Sequence, residues 1–202
     1  MLQFYFHPFS TYARRVWIAL LEKDIKFEPI EVDLVNREHK EPTYLAKNPY
    51  GRVPAINDDG FVLYESSAIL HYLESTHPTP SLLPPDARGR ALVDMHLRLC
   101  DLQFARPTVT IIFPKRFLPP DRWDNAAMAQ AKGEIERHLE IVEQSIGDAG
   151  YLVADQFTIA DIAYAPFLQF LPLMEIEAPP RVAGWRTQLL DRPSARATTP
   201  AR

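Results

Sequence analysis

Two short segments, NPYGRVPAI at 48–56 and YESSAIL at 64–70, carry residue types that can hold a small polar molecule. Pro54 follows an apolar residue at the start of an apparent strand. A proline there removes a ladder donor, which argues for a tight X-Pro bond, with cis as the candidate geometry, kept for a purpose outside the sheet. Glu65, Ser66 and Ser67 stand at a strand-to-helix junction, where the first amides of a helix can receive an anion. The gap between the segments is one hairpin long. Together they describe a site that grips a peptide-like molecule by its backbone and by a carboxylate.

The elements that must position these residues follow from periodicity. Residues 2–6 are rich in aromatics and suit a buried strand. A loop over 7–10 follows, then Ala13, Val16, Trp17, Leu20 and Leu21 recur at the spacing of an amphipathic helix. Residues 27–32 read as a second strand, which Pro29 demotes to a sheet edge. Pro42 opens a short helix to Lys47. Residues 53–57 and 61–64, joined by Asp58-Asp59-Gly60, form a hairpin, and a helix runs from Ser66 to Glu74. The predicted order, βαβ and then ββα, implies a right-handed parallel crossover and a four-stranded mixed sheet with helices on its faces.

The proline-rich stretch THPTPSLLPPDARG at 76–89 reads as a linker. Beyond it only helices are expected, near 90–113, 125–146, 158–171 and 182–190. The third has the clearest start, because Thr158 and Asp161 form a capping box while Phe157 and Ile162 sit at the staple positions. The predicted domains are therefore 1–76, a linker at 77–89, and an all-helical 90–202. The segment RPSARATTPAR at 192–202 has no apolar periodicity and is expected to fray.

Bulk composition narrows the function classes. A chain of 202 residues with 47% hydrophobic and 24% charged residues fits a soluble globular protein with a sizeable core. No apolar run approaches the roughly 18 residues of a membrane span. MLQFYFHPFS enters a strand-like pattern without a basic leader, so no signal peptide is expected and the cytoplasm is favoured. Cys100 is the only cysteine, which excludes an internal disulfide and any cysteine-based metal cluster. The six histidines are scattered without ligand spacing, so no metal is expected. A net charge of −4 argues against nucleic acid as a partner.

Four motifs in order, HKEPTYLAKNPYGRVPAI and YESSAIL within 39–70, FTIADIAYAP at 157–166, and the RP at 192–193, resemble those of the cytosolic glutathione transferases, over nearly the whole chain. The resemblance implies an α/β thioredoxin-like first domain and an all-α second domain. It also implies glutathione as co-substrate, with no permanently bound cofactor. Val53, ahead of a cis Pro54, would present its backbone to the cysteinyl unit. Glu65 and Ser66 would hold the γ-glutamyl end, and His39 and Lys40 the glycyl carboxylate. Arg52 joins this set, though it falls where the phi class commonly has glutamine, and Ser67 stands where that class commonly has arginine. The class stays open among phi, theta and bacterial-type enzymes.

The thiol of glutathione becomes a nucleophile only as thiolate. Lowering its pKa by roughly two units takes about 2.7 kcal/mol of thiolate stabilisation, within reach of a hydroxyl donor and a helix start. The resemblance places the donor at Ser10, five residues before Arg15 and six before Val16, as in phi, tau and zeta-like enzymes. Theta-like counting gives Thr11 instead, and some classes use a first-strand tyrosine, here Tyr5. Ser10 ranks first. Read without the family, Ser10 is a helix N-cap. The absence of cysteine at that position argues against thiol–disulfide exchange.

The second substrate would lie between the domains, where Phe9, Tyr12, Arg106, Phe113 and Phe117 could line an apolar pocket. Asp101 reads as a solvated helix acid and Cys100 as a small buried residue. Tyr50 suits an interface anchor in a two-fold homodimer. The expected activity is conjugation of glutathione to small hydrophobic electrophiles, with peroxide reduction as a second activity. The competing reading is a binding or interaction module that keeps the fold without turnover.

Overall fold

The computed structural model describes residues 1–200. They fall into two compact units, Met1–Leu82 together with the chain from Arg192, and Leu83–Asp191. The first unit contains β1 (Leu2–Phe6), α1 (Thr11–Glu22), β2 (Phe27–Glu31), a 3-10 turn (Glu38–Lys40), α2 (Pro42–Leu45), β3 (Ala55–Asp58), β4 (Phe61–Tyr64) and α3 (Ser66–Thr76). The sheet has the order β2-β1-β3-β4, with β1 parallel to β2 and antiparallel to β3. This is the four-stranded mixed sheet that the sequence predicts, and Pro29 lies on the edge strand β2.

Alternation along β1 sorts its side chains onto two faces. Phe4 and Phe6 stack at 5.1 Å between centroids, and Phe6 meets Trp17 of α1 at 4.8 Å. Tyr5 points the other way, toward Tyr44 of α2 at 6.2 Å. Helices α1 and α3 pack against one another. The buried stripe of α1 differs from the predicted one: Leu21 is 38% exposed, whereas the consecutive Arg14 and Arg15 are buried. The β3–β4 hairpin turns through Asp59 (φ 47) and Gly60 (φ 98), the two positive-φ positions of a turn whose twist matches the strands.

The stretch read as a linker is partly fastened to the first unit. Lys23, the C-cap of α1, pairs with Glu74 of α3 at 2.6 Å and donates to the Pro80 carbonyl at 2.7 Å. Glu74 in turn accepts from the Ser81 hydroxyl and the Leu82 amide. These bonds fasten the chain from Pro80 to Leu82.

The second unit is helical: α4 (Ala87–Leu99), a π-helical turn (Cys100–Ala105), α5 (Arg106–Phe117), α6 (Asn125–Glu143), α7 (Ile159–Leu168) and α8 (Pro180–Asp191). The single helix predicted near 90–113 is thus two helices and a π turn. Pro107 in the first turn of α5 lacks the amide that would bond one turn back, and the ladder widens just upstream. Helix α7 is buried on every side around Tyr164 and Phe167. Its capping box forms as predicted, with Asp161 accepting from the Thr158 amide at 2.9 Å. Asp161 also accepts from the Leu152 amide and from Trp185 Nε1 at 2.9 Å. Among the described residues no helix is long and apolar enough to cross a membrane.

Of the segment expected to fray, residues 192–200 are instead ordered, and residues 201 and 202 lie outside the described residues. Helix α9 (Pro193–Ala197) packs on α1, and the chain from Arg192 groups with the first unit, not with the helical one. Its anchors are polar: Arg192 binds Glu22 in a two-point ion pair, and Ser194 donates to the same carboxylate. Hydrophobic periodicity is blind to such bonds.

Candidate functional site

The sheet register gathers the candidate residues at one end of the first unit. Tyr5, near the end of β1, pairs with Ala55 at the start of β3, and Ala55 pairs with Tyr64 at the end of β4. Phe6 pairs with Glu31, where β2 ends. The loop after β1, the turn after β2, the residues before β3 and those after β4 therefore converge. Ser10, His39, Val53 and Ser66 each lie in one of these four segments. The carboxyl ends of strands in an open α/β sheet are where ligands are generally received.

Ser10 is the N-cap of α1. Its hydroxyl oxygen accepts from the Ala13 amide at 3.2 Å, and its carbonyl accepts from the Arg14 amide at 3.0 Å. A hydroxyl that accepts one bond still has its proton to donate, so capping leaves the donor function open. Thr11 is already inside the helix and 7% exposed. Tyr5 donates its hydroxyl proton to Gln3 Oε1 at 3.0 Å, and burial pushes its pKa up, with Glu28 adding to the rise. A phenol held protonated and already engaged is poorly placed to serve the loop after β1.

Val53–Pro54 is a cis peptide bond. Val53 lies just outside the ladder, whose first β3 pair is Ala55. The loop before it is fixed from beneath, because the Arg52 carbonyl accepts from Tyr44 Oη and Asn48 Nδ2, both at 2.7 Å. The Arg52 side chain itself is exposed. Lys40 reaches across to this loop, donating to the Gly51 carbonyl at 3.0 Å. His39 is half-buried, and its Nδ1 is shielded from solvent with no hydrogen-bond partner among the described residues. Burial lowers its pKa, and the neighbouring Lys40 and Arg37 add to that.

Glu65 is exposed and holds a positive φ of 73°, a conformation that bulky residues rarely adopt. That turn sets Ser66 as the first residue of α3, buried, with its hydroxyl accepting from Arg15 Nη1 at 3.2 Å. The Arg15 guanidinium also lies 4.9 Å over the Tyr12 ring. Arg15, Tyr44 and Asn48 hold these segments in place; the sequence spacing marks Arg15 but reveals none of the three contacts. The N-P-x-G spacing of Asn48 to Gly51 was the one available signal for the Asn48 bond.

The residues expected to line a second pocket belong to both units. Phe9, in the first, is exposed, with its ring 5.5 Å from His7. Phe113 and Phe117, in the second, are both about half exposed and pair at 5.5 Å near the end of α5. Arg106 lines a groove of about 380 Å³ between α5 and α6, with Leu102, Thr110, Gln130 and Glu134. Asp101 and Cys100 fall in the π turn, and Cys100 is fully buried. Tyr50 is exposed, its ring 6.0 Å from Tyr64.

Known proteins resemble the chain in sequence and in fold. Residues 4–81 match the family described as glutathione S-transferase, N-terminal domain, and residues 125–188 match glutathione S-transferase, C-terminal domain. Glutathione S-transferase F6 of Arabidopsis thaliana is 31% identical over 94% of either chain. The crystal structure of glutathione transferase F2 from Populus trichocarpa superposes with a TM-score of 0.88 at 29% identity, covering 98% of this chain and 97% of that one. A glutathione transferase homologue from sulfitobacter, solved with bound glutathione, gives a TM-score of 0.84 at 26% identity over 98% and 96% of the two chains.

Proposed function

Since the chain belongs to the glutathione S-transferase family, we propose that it joins the thiolate of glutathione to small hydrophobic electrophiles, with Ser10 as the hydroxyl that holds the sulfur ionised. The convergence of four sequence-distant segments at one end of the sheet carries this reading. In it, the Val53 backbone at the cis bond pairs with the cysteinyl unit, as an added strand would. Glu65 and the start of α3 receive the γ-glutamyl amine and carboxylate, a charge arrangement suited to a helix N-terminus. His39 and Lys40 stand near the glycyl carboxylate, and Arg52 adds positive charge beside them.

The choice of Ser10 over Thr11 and Tyr5 rests on exposure and on an uncommitted proton. The chemistry is substitution or addition at the electrophile: the sulfur lone pair forms the new bond and the leaving group departs with its electrons, or sulfur bonds the β-carbon of a conjugated acceptor and the π electrons pass to the α-carbon and its carbonyl oxygen, which a proton then quenches. Reduction of peroxides by the same thiolate is a second activity of this site. Phe9, Tyr12, Arg106, Phe113 and Phe117 are the proposed electrophile contacts. A phi-like class, a cytoplasmic setting, a role in detoxification and a homodimer with Tyr50 at its contact complete the proposal.

The test follows the ultraviolet absorbance of the thiolate of bound glutathione against pH in wild type and in Ser10→Ala. The wild type should ionise about two pH units below the free thiol, and Ser10→Ala should lose most of that shift. Conjugation near neutral pH should then fall about tenfold to twenty-fivefold, with the KM for glutathione little changed. Equal conjugation by both proteins would remove Ser10 from the mechanism. A wild type that binds glutathione, leaves its thiol unshifted and turns over no electrophile would be the non-catalytic binding module.

A further inference from the structure

The chain from Arg192 lies along α1 and is bonded to both halves of that helix. At the far end, Arg192 Nε and Nη2 bind the Glu22 carboxylate at 2.8 and 2.7 Å, and Ser194 Oγ donates to it at 2.5 Å. Burial works to raise the Glu22 pKa, but the bonds from Arg192 and Ser194 outweigh it and hold the carboxyl below its ordinary value. Toward the near end, Arg14 Nη2 donates to Thr199 Oγ1 at 3.3 Å. Thr199 is itself held, donating to the Ala195 carbonyl at 2.9 Å. Arg14 is the residue whose amide closes the first helical bond onto Ser10. Between the two anchors, Ala195 and Thr198 are buried.

We propose that Arg192, Ser194 and Thr199 form a clamp that sets the axis and rotation of α1 and so fixes where the Ser10 hydroxyl stands. The proposal rests on the reading of Ser10 as the thiolate donor. Apolar packing of Val16, Ile18 and Leu20 holds α1 in the unit, but such packing is non-directional. Two anchors of directional hydrogen bonds, separated by most of the helix, define slide and rotation together. A donor displaced by about 1 Å can lose about a hundredfold in rate, so the clamp acts on chemistry as well as on stability. Arg192, Thr199 and Arg14 are thus positioning residues.

The experiment uses the full chain and compares wild type, Ser10→Ala, Arg192→Gln and Thr199→Val for bound-thiol pKa, kcat, KM for glutathione and melting temperature. Arg192→Gln should raise the bound-thiol pKa by about half a unit to one unit and lower kcat about 1.5-fold to threefold near neutral pH. The KM for glutathione should stay within about twofold, because the elements proposed to hold the peptide are untouched. Thr199→Val should shift in the same direction by less, and the exchange pair Glu22→Arg with Arg192→Glu should recover part of the loss. A lower melting temperature with unchanged thiol pKa and kcat would make the segment purely structural and overturn the clamp. Should Arg192→Gln fail to fold, Thr199→Val decides alone, and an unshifted thiol there overturns the proposal. If Ser10→Ala shifts the thiol but neither clamp variant does, the clamp fails while the donor stands. A wild-type thiol with no shift removes both.

Discussion

Gly51 shows how narrowly a single residue can determine the site. It holds φ +57°, and a Cβ built there would stand 2.6 Å from the His39 carbonyl oxygen and 2.8 Å from Lys40 Nζ. The loop can approach the 3-10 turn only because no side chain intervenes. Gly51→Ala must therefore push the turn away or distort the loop. Strain of this kind costs about 1–2 kcal/mol. Because the displaced residues are those assigned to the glycyl carboxylate, the KM for glutathione should rise about fivefold to tenfold with kcat retained. Steady-state kinetics with glutathione as the varied substrate, beside a melting curve, separates the two effects.

At the scale of elements, α7 depends on one carboxylate. Burial pushes the Asp161 pKa up to about 6 against the pull of the Thr158 and Leu152 amides, the Trp185 indole and the Thr158 hydroxyl. Four donors converge on it: the Thr158 amide and hydroxyl, the Leu152 amide and the indole N–H of Trp185. Asp161→Ala leaves these buried and unsatisfied, and should destabilise the protein by about 3 kcal/mol or more in urea unfolding. Asp161→Asn, which keeps an acceptor, should cost clearly less.

The capping box was legible in the sequence because its residues are local, and the same is true of the hairpin turn at Asp59-Gly60 and of the edge strand marked by Pro29. What escaped was held by contacts between distant residues. Glu22 and Arg192 make α9 a packed helix where apolar spacing predicts a frayed end. Arg14 and Arg15 are buried, and each meets a hydroxyl from a distant segment, Thr199 and Ser66. That the segments before β3 and after β4 lie together is legible too, since a hairpin of known length separates them. Their supports, Tyr44 and Asn48 beneath Arg52, follow from tertiary geometry that periodicity does not encode.

For the whole molecule, acid stability should be governed in part by a histidine that cannot easily be charged. His138 of α6 is buried, its Nε2 2.9 Å from the Tyr164 hydroxyl and its ring 5.9 Å from Phe104. Burial, with His96 adding, lowers its pKa from 6.5 to about 4. The folded state thus resists a proton that the unfolded chain accepts. His138 contributes its stability fully above pH 6.5, and that contribution is lost as pH falls toward about 4. Between about pH 7 and about pH 5 the loss from this group is about 2 kcal/mol. Asp161 acts in the opposite sense, since its raised pKa favours the folded state at low pH. Urea unfolding of wild type and His138→Gln at both pH values isolates the histidine: the variant should lose less stability on acidification.

The return of the chain from Arg192 to the first unit also has a consequence for biosynthesis. The ribosome must translate all of Leu83–Asp191 before the partners of Glu22 and Arg14 exist. At roughly 5–20 residues per second this is a wait of several seconds. During it the sheet and its helices can assemble with α1 still unclasped. A nascent chain stalled inside the helical insertion would therefore carry the segments of the proposed glutathione site with α1 still lacking its Arg192 and Thr199 anchors.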